Sequence, residues 1–133
     1  MFRFVLPAML LVGGSAALSA DNGYRARQEA RDRAELTRAL TGLTPGKPTS
    51  CIDQHRIAGT QRIGDTILYK YSRREVYRAD TDGGCFGLRR GDAIVSRTYS
   101  GRLCSGDILS TVDFQTHVNS GSCTVREFVP YRR

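Results

Sequence analysis

After its first twenty residues the chain has no second long apolar run. It carries only two lysines, Lys47 and Lys70, and only two histidines, His55 and His117. No two of its four cysteines lie close together; the gaps from Cys51 to Cys85, Cys104 and Cys123 are 34, 19 and 19 residues. Each shortage excludes something. A membrane-spanning helix needs about 20 apolar residues, so no transmembrane segment is expected in the mature chain. Structural zinc draws on C-x2-4-C pairs, so a zinc site has no framework here. The chain has no G-x-S-x-G, hence no nucleophile elbow, and no G-x-x-x-x-G-K, hence no loop to cradle phosphate. Neither a metal nor a cofactor is expected.

What is present begins with an export signal. Arg3 supplies a positive start, Phe4 to Val12 is apolar but for Pro7, and small residues run from Gly13 to Ala20. That order is the pattern of a secretory signal peptide, read and then removed. Residues 1–20 are assigned to it, with cleavage after Ala20 favoured over Ala17 or Ser19 because the polar chain starts at Asp21. No cysteine closes the apolar run, so lipid attachment there is not expected. The protein is expected in the periplasm or secreted.

The chain has 20 Lys and Arg against 13 Asp and Glu. Loss of Arg3 would leave 19 against 13, a net +6. With two lysines, nearly all of this is arginine, which grips carboxylate and phosphate in bidentate fashion. Such a balance favours anionic partners; scattered arginines also make an ordinary solvated surface.

In an exporting context four cysteines imply disulfides. They allow three pairings, and spacing does not choose among them. The expected pairing is Cys51–Cys123 with Cys85–Cys104, the first closing the ends of the domain and the second tying neighbouring hairpins.

Residues 21–43 read as a helical arm rich in Ala, Arg, Glu and Gln. Asp21 or Asn22 would cap its start and Gly42 would end it. Arg25/Glu29 and Arg31/Glu35 have i,i+4 spacing. Its apolar stripe, Ala26, Ala30, Ala34, Leu36, Leu40 and Leu43, is weak, which predicts a loosely docked helix. Residues 44–50, with Pro45, Gly46 and Pro48, read as a linker.

Residues 51–131 read as a β-domain. Candidate strands are 52–57, 66–72, 75–78, 93–99, 107–114 and 123–129, parted by turns at 63–65, 80–84, 100–101 and 119–121. Ile108, Ser110, Val112 and Phe114 alternate on one face, as do Ile67, Tyr69 and Tyr71. The fold class is mainly β: a small disulfide-stapled barrel or sandwich of about six short strands, preceded by an N-terminal helix.

The cysteine contexts are Cys51-Ile52-Asp53, Gly84-Cys85-Phe86-Gly87-Leu88, Gly101-Arg102-Leu103-Cys104-Ser105-Gly106-Asp107 and Cys123-Thr124-Val125. Over roughly 51–131 they resemble a family of small exported, cysteine-containing proteobacterial proteins of uncharacterised function, its sphingomonad-type members above all. The Gly-x-Leu-Cys-x-Gly-Asp piece is the most specific part. The resemblance implies export and a compact domain and brings no catalytic residues.

Several constellations invite chemistry. Two histidines in a basic exported domain fit a ribonuclease-like pair, His55 and His117, one acting as base and the other as acid; surface histidines are the plainer reading. Asp80-Thr81-Asp82-Gly83 resembles the start of a calcium loop, but Gly84 and Gly91 stand where oxygen ligands belong, so a turn is expected. Arg90-Gly91-Asp92 is an adhesion-type tripeptide that a turn explains. The basic pairs Arg73-Arg74, Arg89-Arg90 and Arg132-Arg133, near Tyr69, Tyr71, Tyr77, Phe86 and Tyr131, would line a single-strand-binding groove, although an exported protein meets little nucleic acid.

The sequence therefore points to a monomeric, non-enzymatic binding or envelope-associated domain. Its partner would be an anionic envelope component or another protein, and Arg73, Arg74, Arg89 and Arg90 are the candidate ligand-binding residues. The alternatives are the ribonuclease-like enzyme and a periplasmic lysozyme inhibitor, the latter opposed by like charge on a basic enzyme.

Overall fold

A computed structural model describes residues 16–133, with side chains from residue 21 onward. Most of the expected signal peptide lies outside the described residues. One helix, α1 (Ala16–Ala39), precedes nine strands: β1 (Thr44–Pro45), β2 (Cys51–Asp53), β3 (Gly59–Ile63), β4 (Thr66–Ser72), β5 (Glu75–Gly84), β6 (Ala93–Ser96), β7 (Arg102–Cys104), β8 (Ile108–Val112) and β9 (Asn119–Arg132). Single 3-10 turns occupy Gln54–Arg56 and Phe86–Leu88.

The main sheet is antiparallel, in the order β3-β4-β5-β9-β8-β6. It curls into a half-barrel, so the mainly β expectation holds. Long β9 is the axis. One edge pairs with β5 along its length. The other edge is shared: β8 takes its first half and β1 its last two residues, with Thr49 bridging Phe128 between them. The 44–50 segment thus lies along β9 instead of spanning open solvent. The β2–β7 ribbon covers the core with Ile52 and Leu103.

Pleating sorts side chains to two faces. Inside the curl, Ile67, Tyr69, Tyr77, Ala79, Leu109, Val125 and Phe128 pack with Leu88, Cys85 and Cys123. On the opposite face of β3, β4 and β5, the buried Ile63, Leu68 and Val76 meet Leu36, Ala39, Leu40 and Leu43 of the helical arm.

Several expectations need correction. Asp80–Gly84 and Asn119–Gly121 are not turns; they lie within β5 and β9. Glycine allows this, since a Cβ on Gly121 would sit 2.1 Å from the Gly84 carbonyl oxygen. On β8 the faces are reversed: Leu109 and Thr111 are buried, while Ile108 and Phe114 are 66% and 78% exposed. The disulfides are Cys51–Cys104 and Cys85–Cys123. Cys51 and Cys104 are direct partners in the β2–β7 ribbon. Cys123, paired with Gly83 across the sheet, lies beside Cys85 at the end of β5.

The helix differs too. It starts before Asp21, which pairs with Arg25; the second i,i+4 pair is Glu29–Arg33. Both place the acid toward the N-terminus, the better orientation against the helix dipole. Ala26, Ala30 and Ala34 are exposed, and the half-buried stripe runs through Gln28, Asp32, Leu36, Ala39 and Leu40. Gly42, in the left-handed region at φ 76°, ends the arm as expected.

Candidate functional site

The four candidate arginines do not form one groove. Arg73 and Arg74 make the two-residue turn from β4 to β5. Arg89 and Arg90 follow the second 3-10 turn, and Arg89 reaches Asp65 in the β3–β4 turn, at the other end of β4. The seven residues of β4 separate the two pairs by about 20 Å. Arg89 is held by Asp32 of α1 at 2.8 Å and Asp65 at 3.2 Å. Arg90 is held by the buried Asp92 at 2.7 Å, so the tripeptide folds on itself around Gly91. Hydrogen bonding from the Ser120 hydroxyl, aided by Arg90, holds the Asp92 carboxyl below its usual range.

Arg73 belongs to a different assembly. Gly59 of β3 pairs with Lys70 of β4, and Lys70 with Val76 of β5, giving a row across three strands on the helix-facing side. The end of the helical arm brings Ala39, Thr41 and Leu43 to this row, and Arg133 arrives from beyond β9. With Ala58, Ser72 and Arg73 they line a groove of about 480 Å³. Its floor is apolar (Ala39, Leu43, Ala58, Val76), and its charged side chains are Lys70, Arg73 and Arg133. No carboxylate side chain lines it. Among the described residues none of the three cations forms an ion pair, whereas four other grooves each include a carboxylate.

Strand alternation produces this segregation. Val76 faces the groove, so Glu75 must face away. Glu75 accepts hydrogen bonds from Tyr77 at 3.0 Å and from Arg132 at 2.9 Å, and pairs with Arg56 at 3.5 Å. Arg133 turns toward the groove for the same reason that Arg132 turns toward Glu75. Lys70 Nζ donates to the neutral Gln61 amide at 2.8 Å, and Arg133 Nε to the Gly42 carbonyl at 3.3 Å. A Cβ at Gly42 would lie 2.5 Å from an Arg133 nitrogen, so glycine there makes room for the guanidinium. The sequence singles out Arg73 as a ligand residue, marks Arg133 only as half of a basic pair and gives no sign of Lys70, because no local motif connects the three.

The Glu75 side of the sheet is already satisfied. The Tyr71 and Tyr77 rings lie 4.7 Å apart, Arg56 stands over Tyr71 and Arg132 over Tyr77. Burial pushes the Glu75 carboxyl up, but hydrogen bonds from Arg132 and Tyr77, with the charges of Arg132 and Arg56, hold it below its usual value. This cluster ties β2, β4, β5 and β9 together and leaves little for a ligand.

The histidines are apart. His55, in the first 3-10 turn, lies against Gly101; its neighbour Gln54 hydrogen-bonds Ser96 and Thr98 at the end of β6. His117 is in the β8–β9 loop, by the start of β6, where Ala93 pairs with Val112. The β6–β8 ladder lies between them, and both are exposed. Asp80 and Asp82 are engaged by Arg78 and Arg126. Among the described residues no three of His, Cys, Asp and Glu converge on a point, and no helix is long and apolar enough to cross a membrane. Comparison with family models, with curated proteins and with solved structures finds no match.

Proposed function

We propose that the chain is an exported, monomeric, non-enzymatic binding domain whose ligand is an anionic component of the envelope, taken up in the Lys70–Arg73–Arg133 groove. The observation that carries this is the sorting of charge: three cations converge on one groove from a strand, a turn and the end of the chain, no carboxylate side chain lines it, and Glu75, beside the floor residue Val76, is matched by arginines on the opposite face. Unmatched cations in a concave site recognise phosphate or carboxylate through charge-assisted hydrogen bonds. The groove volume is within the range of small-ligand sites, about 300–1,000 Å³. The two disulfides and the signal-like N-terminus support a location in the periplasm or outside the cell.

The test is calorimetric titration with a short-chain phosphatidylglycerol below its micelle concentration, at rising salt, for wild type, Arg73→Ala and Arg97→Ala. Arg97 is an exposed arginine outside the groove. Binding is expected to weaken as the screening length falls from about 30 Å at 0.01 M to about 10 Å at 0.1 M. Arg73→Ala should reduce it more than Arg97→Ala. Equal loss in the two variants, or binding indifferent to salt, rejects the reading.

A further inference from the structure

The apolar floor of the same groove carries a more specific statement, which rests on the anion-binding reading above. A site for phosphate alone has no use for exposed hydrocarbon, and a site for a polyanion needs a basic stripe longer than one pocket. Here the two chemistries are stacked. Ala39, Leu43 and Ala58 provide a hydrocarbon surface around the buried Val76, and the cations of Lys70, Arg73 and Arg133 border it. The floor continues into the packed cluster of Leu36, Leu40, Ile63 and Leu68, so it is the open end of a hydrophobic layer. Gly59 adds space: a Cβ built there meets nothing within 4 Å.

We infer that the groove binds a single-chain anionic amphiphile, with its phosphate or carboxylate held by Lys70, Arg73 and Arg133 and the first part of its alkyl chain lying over Ala58, Gly59 and Val76. One molecule fills the site. The ligand is a lipid monomer, not the face of a bilayer, because the groove is concave and bounded by the helical arm. Head and tail contribute separately: the ion contacts set the charge requirement, and burial of methylenes adds about 0.8 kcal/mol each, close to fourfold in affinity.

The experiment is calorimetric titration of the full protein, below micelle concentration, with decyl phosphate, decyl maltoside and inorganic phosphate. Decyl phosphate is expected to bind at one site, with the other two at least about tenfold weaker. Two variants separate the parts. Ala58→Glu puts a carboxylate on the floor and should weaken decyl phosphate at least about tenfold. Gly59→Leu fills the space above the floor beside the Lys70 stem without removing a cation; it should weaken decyl phosphate and leave inorganic phosphate unchanged. Circular dichroism confirms that both variants fold. If inorganic phosphate binds as well as decyl phosphate, the amphiphile inference is overturned while anion binding stands. If decyl maltoside binds as well as decyl phosphate, the charge requirement fails. If no anion binds, both readings fail together.

Discussion

At the scale of single residues, position in the pleat decides what each charge does. Glu75 and Val76 are neighbours in sequence, yet one belongs to an ion-pair cluster and the other to the groove floor. Glu75 also has a measurable signature. Its carboxyl is held below the ordinary value in the folded protein, so over that interval the unfolded chain binds the extra proton. Its contribution is therefore present above the ordinary glutamate value and is lost as pH falls through the folded one. Urea unfolding between about pH 6 and pH 3 should show stability declining toward acid, with a shallower decline in Glu75→Gln. The decline will not vanish, because Asp82, Asp92 and Asp113 are lowered as well, by Arg126, by Ser120 and by the Thr116 and Gln115 backbone amides respectively. An unchanged slope in Glu75→Gln would show that its ion pairs contribute nothing. The buried Tyr69 hydroxyl behaves differently: it has no hydrogen-bond partner among the described residues, and burial pushes its ionisation upward.

At the scale of elements, legibility depended on how local the determining force was. Strand β4 is legible with its bounds intact, because Ile67, Tyr69 and Tyr71 alternate directly after the turn signal at 63–65. Strands β5 and β9 were cut short, because Asp-Gly-Gly and Asn-Ser-Gly carry turn propensity that pairing across the sheet overrides. β8 was read on the wrong face, since apolar residues occupy both of its faces and only the curl of the sheet decides which is buried. The helix and the leucine half of its docking stripe, Leu36, Leu40 and Leu43, are legible in the sequence; the alanine half is not, because the contacts there depend on where β3 and β5 lie. That stripe makes a prediction. Hydrogen-exchange protection in α1 should concentrate in its last turns, where Leu36, Ala39 and Leu40 pack, and fall toward Asp21, where side chains are mostly exposed. Uniform protection from Asp21 to Ala39 would mean that something other than this stripe holds the helix.

At the scale of the whole molecule, the candidate site and the disulfides were the least legible features, for one reason. Lys70 and Arg133 are joined by topology alone, as are Cys51 and Cys104 and the pair Cys85 and Cys123. Nothing in the residues beside them announces these partners, so the sequence offers Arg73 as a candidate and Arg133 as half of a basic pair, and joins neither to the other or to Lys70. The staples span 53 and 38 residues of chain, separations at which each typically contributes about 2–4 kcal/mol. Replacing Cys51 and Cys104 together by alanine should lower the unfolding free energy by an amount in that range, measured by denaturant titration under oxidising conditions. A loss near zero would show that the β2–β7 ribbon holds without its bond.

The order of those bonds along the chain has a mechanical side. The two links are interleaved: the second begins inside the span of the first, and the first ends inside the span of the second. If a protease cut once between Cys51 and Cys85 and again between Cys104 and Cys123, the first piece would stay tied to the middle one through Cys104, and the last through Cys85. All three would remain a single covalent object until the bonds were reduced. The nested arrangement would have released the middle piece, so the interleaved one makes the fold tolerant of a broken backbone.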